Sequence, residues 1–418
     1  MHVRQPILRS TTSFFETQLQ LFETGYPSTY SEKLETIRAA CEAGCRGALV
    51  ELAVSTNGLI SDEVRREAWP LLLGFKVETT PQKNTDDVRT VPERMPWEDL
   101  PPHEDEGQVK LDVDRSFIYY PTNMSPRQLD ERKKELSELI VGVLRRHPKL
   151  GYFQGFHDIC QVILLVLGPK LAVPAVEHIA LLRIRDFMLP SMSPAVDHLR
   201  LLYPLLNAAD PKLCAHLSRT QPFFALAATL TLYAHDIQEY SNIARLFDVF
   251  LAMDPVFPLY LFAQIVMERK EELFEYSDDE PEILHSILSK LPKPLDLEGW
   301  ISRAIRLLEE RPPENLSTWS RVSCLSVLKT SRHRTLSLAA AEGVFQKQCN
   351  ELWRAQKREE LFKTMARHKK PIVLGLSVFI GVSSIALGVY AQRNGGLLQA
   401  FPGFMTLWRA VAYIRRLL

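Results

Sequence analysis

The chain has 418 residues, 46% hydrophobic and 24% charged, a composition that excludes a disordered chain and leaves enough sequence for a large core. Lys+Arg and Asp+Glu balance at 50 each, which argues against a nucleic-acid partner and leaves a protein partner open. The six cysteines lie in helix-like segments with no CxxC pair, so they read as reduced thiols, not as a disulfide framework or a metal site.

Residues 1–39 form an N-terminal extension and a first helix. "MHVRQPILRSTTSFFETQ" has no apolar h-region, so it is not a secretory signal. Residues 40–315 read as one large domain built from many short helices. Alternating strand patterns are nearly absent, while apolar residues recur with helical spacing throughout. "EVRREAWPLLLG" carries Arg65 and Trp69. Residues 78–108, rich in proline and acid, read as a polar surface loop inside the domain.

"VKLDVDRSF" follows. On a helix Asp112 and Arg115 are i,i+3 neighbours, so the carboxylate can hold the guanidinium. The plain reading is a surface ion pair worth less than about 1 kcal/mol. The functional reading is an arginine pre-positioned to reach a phosphate. After it, Ser125, Pro126 and Gln128 form an N-cap, an N1 proline and a capping box, and Leu129, Leu136, Leu139, Ile140, Val143 and Leu144 mark one apolar face until Pro148.

"GYFQGFHD" comes next, before the apolar run "ICQVILLVLG", which is too short to span a bilayer and reads as a central core helix. Gly151 and Gly155 permit close backbone approach, and Tyr152 and Phe153 can wedge the loop. Gln154 is then displayed at the start of a rigid helix, either satisfying backbone groups there or orienting a water. Further helices read from "PAVEHIALLRIRDFM", "PAVDHLRLLYPLL", "PFFALAATLTLYAH", "NIARLFDVFLAM", "PLYLFAQIVMERKEELF", "EILHSILSKL" and "LEGWISRAIRLLEE", with prolines between them.

Residues 316–370 read as a Ser-rich linker followed by a basic juxtamembrane helix. Residues 372–391 hold no charge; about 20 helical positions span roughly 30 Å, the thickness of a hydrocarbon core. Basic residues concentrate upstream, at Lys357, Arg358, Lys363, Arg367, Lys369 and Lys370, which puts the large domain in the cytosol. Residues 397–418 read as an amphipathic lumenal or interfacial tail, with Leu407, Trp408, Val411, Ile414 and Leu418 on one stripe.

Three motifs in order carry a resemblance. Arg65, Trp69, Leu72, Leu73 and Gly74 are similar to an R-x-x-x-W-x-x-L-L-G opening; Val109-x-x-Asp112-x-x-Arg115 resembles IxxDxxR; Tyr152-x-Gln154-Gly155 resembles YxQG. Together they resemble TBC-domain Rab GTPase-activating proteins over roughly residues 40–315. Val109 and Phe153 depart mildly from the usual residues. The resemblance implies an all-α TBC-type domain of about fifteen short helices with no sheet, followed here by the C-terminal transmembrane helix.

It further implies that Arg115 enters a Rab-family small GTPase in its GTP state as an arginine finger. Gln154 would orient the attacking water, with Asp112, Tyr152, Gly155, Arg65 and Trp69 in support. The chain would run no reaction of its own and bind no metal or cofactor, since GTP and Mg²⁺ belong to the Rab. Together with the span, the motifs look like the subgroup on the endoplasmic reticulum membrane, acting in early secretory traffic. Besides a membrane-shaping protein that would use the span and the amphipathic tail, two other classes compete. One is a non-catalytic Rab-binding membrane scaffold. The other is an HD-type metal phosphohydrolase, suggested by His157-Asp158 and His235-Asp236, although the neighbouring His147 and His178 are poorly spaced for it.

Overall fold

A computed structural model describes residues 30–75, 95–332 and 336–367. Most of the N-terminal extension, residues 76–94 with the first part of the polar loop, the apolar span 372–391 and the tail 397–418 lie outside the described residues. Seventeen α-helices, five short 3-10 turns and no strand make up the described part. The chain divides into a unit ending at Cys349 and a second beginning at Asn350.

The first helices are α1 (Tyr30–Glu42), α2 (Arg46–Val54), α3 (Asp62–Leu73) and α4 (Glu106–Val113). Next come α5 (Pro126–Arg146) and α6 (Phe156–Leu182). The capping box at α5 forms as the sequence indicates: Ser125 Oγ accepts from Gln128 N at 3.3 Å, and Gln128 Oε1 accepts from Ser125 N at 2.9 Å. Leu136, Leu139, Ile140, Val143 and Leu144 are buried on one face, each stabilising the fold by about 1.5–3 kcal/mol relative to exposure.

Within α6 the central helix covers its apolar run up to Leu167, and a second helical segment runs from Pro169 through Pro174 to Leu182, beginning before the expected start at Pro174. The break falls instead at Gly168, whose φ of 71° only glycine adopts without strain. By length and composition α6 is the one described helix fit to cross a membrane, yet most of it is buried. It packs against α5, α3 and α4 as the core of the domain.

The second half contains α7 (Ser193–Leu199), α8 (Leu202–Ala209), α9 (Pro211–His216), α10 (Leu226–Leu230), α11 (Tyr240–Ala252) and α12 (Phe257–Glu268). It continues with α13 (Lys270–Phe274), α14 (Pro281–Leu288) and α15 (Leu297–Glu310). α11 closes on α2 and α3, and α12 on α15. The stretch "PFFALAATLTLYAH" is not one helix. α10 stops at Leu230 because Leu232 and Tyr233 take left-handed backbone, with φ of 49° and 63°. Tyr233 is buried, and its hydroxyl donates to Pro258 O at 3.0 Å.

The Ser-rich stretch from 316 behaves differently from a linker. Ser326, Val327 and Leu328, at the start of α16 (Val327–Thr330), are buried in the first unit. Their anchor is Asp186, which is fully buried. It accepts from Val327 N at 3.1 Å, from Gln348 Nε2 at 2.7 Å, and from the Ser326 hydroxyl. Arg185 beside it donates to Leu325 O at 2.7 Å and to Gln348 Oε1 at 3.0 Å. The start of α17 (Leu338–Arg367) therefore belongs to the domain, with Ala341 and Phe345 in its core.

Candidate functional site

The site lies where the turn after α4, the start of α6 and the turn after α10 meet. α4 ends at Val113, so Arg115 stands just past the helix, its backbone N–H donating to Asp112 O at 3.1 Å. Asp112 is fully buried while the Arg115 side chain is 65% exposed, so this is no ordinary surface pair. Asp112 accepts from Arg115 Nη2 at 2.7 Å, Tyr152 OH at 2.9 Å and Gln108 Nε2 at 3.1 Å. Burial alone would raise its pKa, but the donors from Tyr152, Arg115 and Gln108 outweigh that and hold it below the ordinary carboxylate value.

Tyr152 is fixed at both ends. Its N–H donates to Asp105 Oδ2 at 2.8 Å, and its hydroxyl is pushed upward in pKa, first by burial and then by Asp112. Gly151 N donates to Met188 O at 2.8 Å. Phe153 turns inward, against Phe156 and Phe187. Gly155 has a φ of 103°, and a Cβ there would meet Thr231 Cγ2 at 2.5 Å. Glycine is thus required twice over, by backbone sign and by contact with the turn after α10. Between these two fixed points Gln154 is exposed, and among the described residues its amide has no partner.

Arg115 and Gln154 line one open cleft of about 710 Å³, together with Ile118, Tyr119, Met192 and Phe223. Those four apolar side chains are 73%, 49%, 46% and 46% exposed, which makes the rim suited to a protein surface. The segment bearing Ile118 and Tyr119 is shaped by Gln161, whose Oε1 accepts from Phe117 N at 2.9 Å and whose Nε2 donates to Tyr120 O at 3.3 Å. Phe117 has a φ of 61° there. Sequence reading missed Gln161; a glutamine inside a strongly apolar helix was the available signal.

Arg65 and Trp69 do not line the cleft. Arg65 donates to Asp248 through Nε at 2.9 Å and Nη2 at 3.0 Å, and to Asp62 through Nη1 at 2.9 Å. Trp69 Nε1 donates to Asp248 at 2.8 Å. They join α3 to α11. Their link to the site is indirect: Tyr240 donates to Asp62 at 2.5 Å and its ring packs 5.7 Å from that of Tyr120.

The two His-Asp pairs, read from sequence as a rival site, do meet. His157 Nε2 lies 3.2 Å from Asp158 Oδ1, and His235 Nδ1 lies 3.0 Å from Asp158 Oδ2. Even so, no group of three or more His, Cys, Asp or Glu among the described residues is arranged to hold a metal ion.

Comparison with known proteins bears on this geometry. A family profile described as the Rab-GTPase-TBC domain matches residues 62–274. TBC1 domain family member 20 of Homo sapiens is 31% identical over 350 residues, covering 81% of this chain and 84% of that protein. GTPase-activating protein gyp10 of Schizosaccharomyces pombe is 30% identical over 296 residues, covering 69% of this chain and 79% of that one. The crystal structure of the Ypt/Rab-GAP domain of Gyp1p covers 66% of this chain and 99% of its own with a TM-score of 0.50 at 13% identity, a likeness of fold.

Proposed function

The chain belongs to the Rab-GTPase-TBC domain family, and on that premise we propose that it accelerates GTP hydrolysis by a Rab-family GTPase through two side chains supplied in trans. Hydrolysis needs an oriented water and neutralisation of the charge on the phosphoryl group in flight. Arg115 supplies the charge. Its planar fork stays cationic and directs donors at phosphate oxygens, which lysine does less well. Gln154 supplies the orientation, its amide donating and accepting at once. GTP and Mg²⁺ are the partner's, and the apolar rim of the cleft takes the partner's surface.

One observation carries this reading: a fully buried carboxylate holds an exposed arginine, and a glutamine unpartnered among the described residues stands on the same cleft. A trans arginine contributes about 10³–10⁵ in rate. On the same reading the apolar residues 372–391 tether the domain to a membrane with the domain cytosolic, and the resemblance of the motifs and span to the endoplasmic-reticulum subgroup supports early secretory traffic as its setting.

Single-turnover hydrolysis across a panel of GTP-loaded Rabs tests the activity. At least one member is expected to respond, and acceleration of none would refute it. Arg115→Ala or Gln154→Ala that still stimulate like the native chain would favour a binding scaffold. Deleting residues 371–418 is expected to release the protein from membranes with its activity in solution intact.

A further inference from the structure

A line of polar contacts runs from Arg115 into the protein and back out to the same cleft at His235. Asp112 Oδ1 holds Arg115, and Asp112 Oδ2 meets the Tyr152 hydroxyl at 2.9 Å. That hydroxyl lies 3.1 Å from His157 Nδ1. His157 Nε2 faces Asp158 Oδ1 at 3.2 Å, and Asp158 Oδ2 meets His235 Nδ1 at 3.0 Å. The Arg115 and His235 side chains are 65% and 64% exposed, whereas those of His157 and Asp158 are 11% and 17% exposed. The line begins and ends on the cleft and is buried between.

Counting protons exposes a conflict. Tyr152 has one hydroxyl proton and two neighbours able to take it, Asp112 Oδ2 and His157 Nδ1. A neutral His157 with its proton on Nδ1 donates to the Tyr152 oxygen, and Tyr152 then donates to Asp112. In that state the bare Nε2 lies 3.2 Å from the Asp158 carboxylate, an electrostatic repulsion across a contact that is not aligned as a hydrogen bond. With the proton on Nε2 the ring turns a positive edge to Asp158, but Nδ1 takes the Tyr152 proton and Asp112 loses a donor. Only the imidazolium keeps the Tyr152 proton on Asp112 and a positive edge toward Asp158.

We propose that His157 is a positioning residue for Arg115, acting through Tyr152: its proton state decides whether the single Tyr152 proton goes to Asp112 or to the imidazole, and so how firmly Asp112 is fixed beneath the guanidinium. The consequence for catalysis rests on the reading of Arg115 as the trans arginine. The groups facing His157 are Asp112 and Arg115 from α4 and its following turn, Tyr152 from the loop, Asp158 from α6, and His235, with Asp236 beside it, from the turn after α10. Burial is the strongest influence and lowers its pKa; Asp158 and Asp112 oppose this, while His235 and Arg115 add to it. The imidazolium therefore forms below the ordinary histidine value near 6.5. Stimulated hydrolysis accordingly rises as pH falls through that titration.

Imidazole ¹⁵N spectra of the full chain in detergent micelles test the proton count without any Rab. Above its titration His157 is expected to show intermediate shifts at both nitrogens, and Tyr152→Phe to drive it wholly to the Nε2–H form. A His157 held as Nε2–H at every pH above its titration, unaltered by Tyr152→Phe, would overturn the proposal. In single-turnover assays with a responsive Rab, each rate taken relative to that Rab alone, His157→Gln is expected to flatten the pH profile. Its saturating rate falls about tenfold with little change in half-saturation, and it adds nothing in a Tyr152→Phe background. Asp158→Asn, a second variant, moves the profile to lower pH. A native profile in His157→Gln, or a full additional loss on top of Tyr152→Phe, counts against it. Native stimulation by both Arg115→Ala and Gln154→Ala would bring down the trans-arginine reading instead and leave the spectra to decide the rest.

Discussion

Among the fully buried carboxylates of this domain, two are dressed almost alike. Asp248 accepts from an arginine, Arg65, and from an aromatic donor, Trp69 Nε1; Asp112 accepts from an arginine, Arg115, and from an aromatic donor, the Tyr152 hydroxyl. They differ in where the arginine goes. Arg65 is 6% exposed, and its remaining donors are taken by Asp248 again and by Asp62. Arg115 spends Nη2 on Asp112 and Nε on Leu111 O at 3.3 Å, and among the described residues Nη1 has no partner. The same chemistry makes a closed staple between two helices in one place and a held but open cation in the other. A buried acid is therefore a poor guide to function until the fate of the whole guanidinium is known.

Arg115→Ala should sharpen this contrast most. Stimulated hydrolysis is expected to fall by about 10³-fold or more, while the unfolding midpoint moves by at most a few degrees, since the lost pair reaches into solvent. Paired activity and thermal unfolding measurements check both halves. A large loss of stability would mean that the two arginines do the same work.

Asp248→Ala should do the reverse. It leaves Arg65 buried without its carboxylate, at a cost of about 3–5 kcal/mol, read by denaturant unfolding. If Asp248→Ala were no more costly than Asp112→Ala, the distinction between staple and open pair would collapse.

Gly155→Ala comes third. The new Cβ meets Thr231 at a φ of 103°, and about 1–3 kcal/mol of strain is expected, with a loss of stimulation through Gln154. Thr231→Ser removes the offending methyl and keeps the hydroxyl that donates to Ala227 O at 2.9 Å, so the double variant should recover part of the loss. No recovery would show that backbone sign alone dictates glycine here.

The smallest effect concerns a third ionic site. His147, at the end of α5, lies 2.9 Å from Glu342 and 3.8 Å from Glu177. Burial lowers its pKa, but the two carboxylates outweigh that and raise it to about 9. A raised histidine contributes stability that is complete below its unfolded value near 6.5 and is lost as pH rises through about 9. Melting temperatures measured from pH 6.5 to 9.5 should fall with pH, and His147→Gln should flatten that slope.

Much of this was legible in local sequence. The capping box at Ser125, the amphipathic runs of α11 and α15, and the Asp112–Arg115 spacing each depend on residues within a few positions of one another. What was illegible depends on distant partners. Nothing near Leu232 and Tyr233 marks a left-handed break; it follows from how the Tyr233 ring and hydroxyl fit against Phe250 and Pro258. The Ser-rich stretch looked solvated because Asp186, which buries it, lies far upstream. His157, Asp158 and His235 looked like chemistry by composition, whereas Gln161, which shapes the cleft rim, looked like nothing.

The Asp186 cluster also sets a clock on the ribosome. Asp186 and Arg185 are made early, but the hydroxyl of Ser326 and the amide of Gln348 that complete their cluster come late. At about 5–20 residues per second, roughly ten to thirty seconds separate the synthesis of Asp186 from that of Gln348. Throughout that interval Asp186 can pair with His198 and Arg185 with Leu181 O, while their later partners are still missing. This corner of the domain is therefore completed only once the start of α17 has been made.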